Sequence, residues 1–172
     1  MEHGIPALII ASVMIVATLL IARSGYMGVD AVNQSFKEME SRVGEQARTN
    51  VIIENTASDA SGANLTADVT NTGSTVLGDW DYTDVVVQYI DDVGAYHIRW
   101  LPYTGGALSS NTWTVNSITN DVFEPGLLNP TEQMQIQLRI NPVIGCGTTG
   151  TMIFTTEQGV TTTANVAGPP CP

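Results

Sequence analysis

Few residues of this 172-residue chain are of the types that do site chemistry. The two histidines, His3 and His97, are far apart in sequence, and the two cysteines, Cys146 and Cys171, are too few for a four-cysteine zinc site. A cysteine nucleophile would also need a histidine partner. The sequence contains no phosphate-binding glycine loop with lysine, no H-E-x-x-H and no G-x-S-x-G motif. It therefore predicts no enzyme: no catalytic residue, no cofactor and no small-molecule substrate.

The two cysteines are better explained as a structural pair. In an oxidising compartment a bond between Cys146 and Cys171 would close a loop of about 25 residues, worth ~3 kcal/mol in the chain-entropy model. Cys171 follows two prolines, in a segment that would fray unless it were tied down. We predict the disulfide; the alternative is two buried, unpaired thiols.

One cluster of aspartates could bind a cation. Asp79, Asp81 and Asp84 are close in sequence to Asp91 and Asp92, and Ca²⁺ prefers oxygen ligands of this kind. The EF-hand pattern is absent, because its required glycine and its terminal glutamate are missing. We predict a solvated acidic loop and no metal site.

Charge is distributed unevenly along the chain. There are 17 acidic residues against 6 basic ones, a net charge of −11, which excludes nucleic acid as a partner because phosphate binding needs clustered Lys and Arg. The hydrophobic fraction of 43% excludes a disordered acidic tail. Residues 49–172 hold twelve acidic and two basic residues, a net charge of −10, whereas residues 1–48 have a net charge of −1.

The N-terminal segment begins with nineteen uncharged residues, 4–22, which as a helix would cover roughly 28 Å of a bilayer core. An ordinary signal peptide would have a basic n-region and a cleavage site, and both are missing. A membrane anchor fits the length better. However, the basic residues lie only on its C-terminal side, which the positive-inside rule would hold in the cytoplasm. A basic leader that once preceded residue 1 would resolve this conflict.

A second apolar pattern follows the first. It consists of Val29, Val32, Phe36, Met39 and Val43, which recur at spacings of 3, 4, 3 and 4. This heptad seam would pack either on the protein's own domain or on copies of itself. Gly25 and Gly28 lie between the two apolar patterns and disfavour a continuous helix there. However, the sequence has no proline between Pro6 and Pro102, so one helix from about residue 5 to residue 48 is allowed. The predicted helix core comprises Ile5, Leu8, Ile9, Val13, Val16, Leu19, Leu20, Val29, Val32, Phe36, Met39 and Val43.

Alternation of apolar and polar residues takes over after Thr49 and predicts seven or eight short strands. In one of them Tyr96, Ile98 and Trp100 share one face and His97 and Arg99 the other, which predicts that His97 faces solvent. The predicted fold class is α+β: a long N-terminal hydrophobic α-helix followed by an antiparallel Ig-like β-sandwich. The predicted domains are an N-terminal hydrophobic and amphipathic assembly helix, residues 1–48, and a surface-exposed β-sandwich, residues 49–172. Two glycosylation sequons begin at Asn33 and Asn64.

Several short motifs carry a family resemblance. The opening Gly4-Ile5-x-x-Leu8-Ile9 resembles the N-terminus of archaellins, which belong to the type IV pilin-like superfamily. Asn71-Thr-Gly73 with the later Asp84-Val-Val-Val87 is similar to the archaellin and archaellar stator sandwiches. Leu128-Asn-Pro130-Thr-Glu132 resembles their Leu-x-Pro-Gly-Glu strand entry, with Thr131 where glycine is usual.

The resemblance implies a structural subunit of an extracellular helical filament, the archaellum of swimming motility, that polymerises with itself through its N-terminal helix. Family members are made with a basic leader that a peptidase removes, and they are inserted in the membrane before assembly. The alternatives are a membrane-anchored archaellar stator or accessory protein, or an adhesive type IV-like pilin. The resemblance implies no cofactor.

Overall fold

The computed structural model describes residues 4–171; along the first helix it describes the side chains of Ile10, Arg23 and residues 12–20 and 30–48. Helix α1 is followed by eight strands, and a single 3-10 turn, Trp80–Tyr82, precedes β3. The elements are α1 Gly4–Arg48, β1 Val51–Ser58, β2 Asn64–Asn71, β3 Asp84–Ile90, β4 Tyr96–Leu101, β5 Thr112–Thr119, β6 Gln133–Arg139, β7 Thr149–Thr155 and β8 Thr161–Ala167.

The strands form two four-stranded antiparallel sheets, in the orders β1-β2-β6-β5 and β4-β3-β7-β8. One edge of each sheet meets the other, because the Thr56 hydroxyl donates to the Asn165 carbonyl (2.6 Å) and the Ser58 hydroxyl to the Ala167 carbonyl (2.8 Å). The antiparallel β-sandwich that the alternation predicts is confirmed.

The core of the sandwich comes from alternate residues of its central strands, which are buried on one face of each sheet. At its centre Trp113 is fully buried and contacts the rings of Trp80, Tyr103 and Phe154. The other principal core residues are Leu65, Val69, Val85, Val87, Tyr89, Met134, Ile136, Leu138, Met152 and Val166.

The fold class predicted from the sequence is wrong in its helical part. The backbone of α1 is helical from Gly4 to Arg48, but its described side chains fall in two short stretches, 12–20 and 30–48. The first stretch is apolar, whereas the second carries seven charged residues. Within the described residues, no helical stretch combines the length and hydropathy needed to cross a bilayer. Arg23 and the charges that begin again at Asp30 separate the described apolar stretch from the second one, so the described residues lack the long hydrophobic helix of the prediction.

Strands β1 and β5 lack a regular alternation of apolar and polar residues, and both contain a β-bulge. The register shifts between Ile53 and Asn55 in β1 and between Val115 and Ser117 in β5. A bulge adds one residue to one strand and so reverses which residues face inward. In β5, for example, the inward positions change from Trp113 and Val115 to Ile118, which breaks the period of two.

Strand β4 presents to the interior the face opposite to the predicted one. Tyr96, Ile98 and Trp100 are 61%, 58% and 60% exposed, whereas His97 and Arg99 are half-buried. The prediction that His97 faces solvent is therefore wrong. Its inward position is stabilised by the Asp91 carboxylate, which lies 2.7 Å from His97 Nε2.

The chain divides into two compact units, with the boundary between Val43 and Gly44. The last turn of α1 thus belongs with the sandwich. The functional division at residue 48 stays a prediction.

Candidate assembly surfaces

The first stretch of α1 presents large apolar side chains on every side. Val13, Met14, Ile15 and Val16 are consecutive and are between 56% and 68% exposed. Since successive helical residues are about 100° apart, these four point around the whole circumference. Leu19 and Leu20 are exposed to a similar degree. A helix that is apolar all round is normally buried on all sides, so this stretch needs more than one neighbour.

The second stretch of α1 carries the heptad seam on one face. Val32, Phe36, Met39 and Val43 are between 53% and 63% exposed. Charged residues surround this seam, including Lys37, Glu38, Glu40 and Arg42, so the apolar surface is a stripe rather than a full circumference.

Each stretch contains a shallow groove in which small residues lie between large ones. The first groove is lined by Ser12, Val13, Val16, Ala17 and Leu20. The second has the same composition, with small residues at two positions and large apolar residues at three. Small residues let a neighbouring helix approach closely, which favours interdigitation of side chains. The second groove is lined by Ala31, Val32, Ser35, Phe36 and Met39.

Part of the predicted helix core is not described. Ile5, Leu8, Ile9 and Val29 have side chains that lie outside the described residues. Ile10, Met14 and Ile15 are exposed apolar residues that the prediction omits. The uninterrupted apolar run from Val13 to Val16 was the available signal for the last two.

The C-terminal end of α1 is hydrogen-bonded to the turn between β2 and β3. The backbone N–H of Ser74 donates to the Arg48 carbonyl at 2.8 Å, and Thr49 donates its hydroxyl to Glu45 at the same distance. A Cβ atom added at Gly73 would lie 2.5 Å from the Arg48 carbonyl oxygen. Glycine is therefore required at this position for the turn to approach the helix end.

Asn71 organises the same turn. Its side chain is fully buried and makes three hydrogen bonds to backbone: Nδ2 donates to the carbonyls of Thr75 (2.7 Å) and Leu128 (3.0 Å), and Oδ1 accepts from the Gly73 N–H (3.0 Å). The Asn71-Thr-Gly73 motif is thus a structural element, in which a buried amide bonds to the Thr75 carbonyl and adds a second partner to two backbone groups. The Gly73 N–H also donates to the Asn50 carbonyl, and the Leu128 carbonyl also accepts from the Leu77 N–H.

The motif that starts at Leu128 lies beside this turn. The Thr131 N–H donates to the Asn71 carbonyl (2.8 Å), and the Glu132 side chain accepts from the Asn129 N–H (2.9 Å). Thr131 has a φ of +72°, a conformation that is a genuine outlier for a β-branched residue. Glycine would adopt this φ without strain.

A disulfide joins Cys146 to Cys171, with Cα atoms 4.9 Å apart. The segment between β8 and Cys171 is also held by backbone, since Gly147 donates to the Pro169 carbonyl and Gly168 to the Thr148 carbonyl, each at 2.8 Å. The disulfide and these hydrogen bonds fix the C-terminal segment to the loop before β7.

The aspartate cluster is not arranged as a cation site. Asp84 accepts from the Trp100 indole at 2.8 Å, and Asp91 accepts from the N–H groups of Val93 and Ala95. The hydrogen bond from His97, opposed by burial and aided by those two amides, holds the pKa of Asp91 below its ordinary value. The described residues contain no group of three or more His, Cys, Asp or Glu able to hold a metal ion.

The two sequons lie in different environments. Asn33 is exposed on α1. Asn64 is half-buried at the start of β2, where its Nδ2 donates to the Asp59 carboxylate at 2.6 Å. Burial acts to raise the pKa of Asp59, but hydrogen bonds from Asn64, Ser61 and Ala63 outweigh it and hold that pKa below its usual value. Glycosylation at either asparagine stays a prediction.

Comparison with known proteins gives matches only at the level of structure. No protein-family model and no curated protein matches the chain. The archaeal flagellum of Methanospirillum hungatei strain JF1 is similar over 98% of this chain and 95% of its own, with a TM-score of 0.62 and 15% sequence identity.

Two further solved structures are similar to a smaller part of the chain. The archaeal flagellin FlaB1 from Methanocaldococcus jannaschii has a TM-score of 0.53 at 13% identity, covering 72% of this chain and 92% of its own. The archaellum periplasmic stator protein complex FlaF and FlaG from Sulfolobus acidocaldarius has a TM-score of 0.51 at 20% identity, covering 67% and 86%. The sandwich thus has the Ig-like fold of archaellum components.

Proposed function

We propose that this protein is a structural subunit of an archaellum-type filament, which polymerises through α1 and exposes its sandwich outside the cell. The observation that carries this proposal is the exposure of the large apolar side chains described in α1, each of which is more than half accessible. Large apolar side chains that a single chain leaves in water require partners.

The magnitude of this effect favours assembly. Burial of a large apolar side chain is worth roughly 1.5–3 kcal/mol, so the eleven that are described between Ile10 and Val43 amount to roughly 20 kcal/mol. Association costs about 4–15 kcal/mol in lost freedom of motion. The apolar surface is therefore sufficient to hold copies together even when its burial is incomplete.

The distribution of the apolar residues favours many copies over a dimer. One partner helix could cover the seam from Val32 to Val43, but it could not cover Val13 to Val16, which point in all directions. A bundle of helices from many copies covers both. When such head-to-tail contacts do not close on themselves they produce a helical filament.

The structural neighbours support an archaellum-related role, since they include both filament and stator proteins. The second candidate is accordingly a stator or accessory protein, and an adhesive type IV-like pilin is the third. The filament subunit and the pilin require assemblies of unlimited length, whereas the stator or accessory protein does not.

Electron microscopy of the full chain tests this proposal. The protein would be purified in non-ionic detergent, and the detergent would then be removed by dialysis. A filament subunit forms filaments of uniform diameter and variable length. Closed particles of fixed size would favour the accessory protein, and a stable soluble monomer would contradict both.

A further inference from the structure

The outward faces of the two sheets differ in chemistry. On the central strands β2 and β6 the outward positions are all polar, and their side chains bond to one another, for example Gln135 to Asp68 (3.3 Å). On β4 the outward positions are the exposed Tyr96, Ile98 and Trp100. The polar positions are Thr66, Asp68, Thr70, Gln133, Gln135 and Gln137.

The apolar residues of the second sheet continue across three strands. Trp100 pairs with Val86 on β3, which pairs in turn with Ile153 on β7. At the other end of β4, Tyr96 pairs with Ile90. We call this surface the aromatic face; it comprises Val86, Ile90, Tyr96, Ile98, Trp100 and Ile153.

The polar atoms of the two aromatic rings already have partners. The Tyr96 hydroxyl donates to Gln88 Oε1 at 3.1 Å, and the Trp100 indole N–H donates to Asp84 Oδ1 at 2.8 Å. What the rings offer a partner is therefore apolar surface. Aromatic side chains contribute about 150–250 Å² each when buried, so at the observed exposure Tyr96 and Trp100 present on the order of 250 Å², to which Ile98 adds apolar surface.

This area is the size of a binding hot spot and smaller than a stable dimer interface. A standard interface buries about 800 Å² per partner, and Trp and Tyr are enriched among the few residues that dominate binding energy. The aromatic face alone would thus not hold two sandwiches together by apolar burial, and its partner must add a second attractive contribution.

The charges beside β4 indicate that the second attractive contribution is electrostatic. Exposed aspartates lie at both ends of β4: Asp84 contacts Trp100, and Asp92 lies in the turn that precedes Tyr96. In the sandwich, whose residues 49–171 the structure describes, the basic residues are Arg99, half-buried and on the opposite side of β4, and Arg139, which lies in the other sheet. A second sandwich, with a net charge of −10, would be repelled.

We propose that the aromatic face docks a protein partner whose contact surface has an apolar centre and a rim of Lys and Arg. The apolar centre would cover Ile98 and the two rings, and the basic rim would approach Asp84 and Asp92. Electrostatic complementarity of this kind steers the partner and rejects further copies of the sandwich. The surface serves a filament subunit and an accessory protein equally, so this proposal does not depend on the choice between them.

The chain carries its own reporter for a binding test. Trp100 is 60% exposed, whereas Trp80 is 9% and Trp113 is 0% exposed, so a change in tryptophan emission on binding reports the aromatic face. The probe is a ten-residue peptide of alternating Leu and Lys, and its counterpart alternates Leu and Glu. Each would be titrated into the full chain in non-ionic detergent.

The expected result is a blue shift of Trp100 emission with the Lys peptide and at least tenfold weaker binding of the Glu peptide. Raising the salt to 0.5 M should weaken Lys-peptide binding several-fold, because salt screens the aspartates. The double variant Tyr96→Thr with Ile98→Thr keeps the reporter and should lose at least tenfold in affinity. The matched control, Gln135→Thr with Gln137→Thr on the polar face, should bind as the unaltered protein does.

Three results would overturn the proposal. Equal binding of the Lys and Glu peptides would show that charge does not select the partner. Full binding by the Tyr96/Ile98 double variant would show that the Lys peptide adheres to the acidic surface at large. A blue shift that grows with protein concentration in the absence of peptide would show that a second copy of the chain occupies the face.

Discussion

The sandwich and α1 treat their apolar side chains in opposite ways. Val69, Val85, Met134 and Leu138 are completely buried within the sandwich, while the large apolar residues described in α1 are more than half exposed. The sandwich has a core of its own, built by both sheets around Trp113. The described part of α1 has none.

One chain thus combines a unit that buries its own apolar side chains with a segment that needs partners to bury them. Mutations in the two regions should therefore affect different measurements. Changes in α1 should alter assembly and leave sandwich unfolding as it was, whereas changes in the sandwich core should lower its stability and leave assembly intact.

Replacing Val16 with Asp should abolish assembly. In the proposed filament Val16 is buried among helices, and an unpaired buried charge costs several kcal/mol per copy. Sedimentation after detergent removal measures the effect, and calorimetric unfolding of the sandwich should be unchanged. The control is Gln34→Asp, an exposed position of α1 outside the seam, which should still assemble. Normal filaments from Val16→Asp would refute the role of α1.

Replacing Asn71 with Ala should destabilise the sandwich by about 3 kcal/mol, because three buried hydrogen bonds are lost at about 1 kcal/mol each. Chemical denaturation followed by the fluorescence of the buried tryptophans provides the measurement. Asn50→Ala is the matched control: it removes one exposed hydrogen bond, from Asn50 to the Thr72 hydroxyl, and should cost less than about 1 kcal/mol. Equal losses from the two variants would show that Asn71 has no special role.

Replacing Cys171 with Ser should lower the free energy of unfolding by about 3 kcal/mol, through loss of the constraint on the unfolded chain. Assembly should be unaffected, since the disulfide lies wholly within the sandwich. Reduction of the unaltered protein serves as the control and should reproduce the loss. Mass spectrometry that finds both cysteines alkylated in freshly isolated, non-reduced protein would contradict the disulfide.

Replacing Thr131 with Gly should raise the free energy of unfolding by about 1 kcal/mol. The gain is the relief of a positive φ on a β-branched residue, worth about 1–3 kcal/mol, less the greater entropy of glycine in the unfolded chain. Thr119→Gly, at an exposed position in β5, should instead lower stability by about 1 kcal/mol. A loss at Thr131 as large as the loss at Thr119 would show that its backbone is unstrained.

Sequence alone was sufficient for the regular parts of the sandwich. The alternation of Met134, Ile136 and Leu138 with glutamines identifies β6 without ambiguity, since one face of that strand is fully buried and the other polar. The two bulged strands, β1 and β5, were harder to identify from the sequence, because one extra residue reverses the inward face in mid-strand.

The surface of β4 shows a second limit of sequence reasoning. Alternation tells which residues share a face but not which face is inside. Tyr96, Ile98 and Trp100 are the more apolar set, yet they lie outside, and the contact between His97 Nε2 and the Asp91 carboxylate gives the inward His97 a partner. The long hydrophobic helix was mispredicted for a related reason: the seam from Val32 to Val43 continues the apolar positions, but the charged residues around it make that stretch amphipathic.

We expect apolar burial by α1, rather than ionic contact, to hold copies of the chain together. Sedimentation of assembled full-length protein in 1 M NaCl at neutral pH tests it directly, since at this ionic strength charges are screened beyond about 3 Å. If the claim is correct, the protein pellets as completely in 1 M NaCl as in 0.1 M NaCl. Dissociation into monomers in 1 M NaCl would contradict the claim.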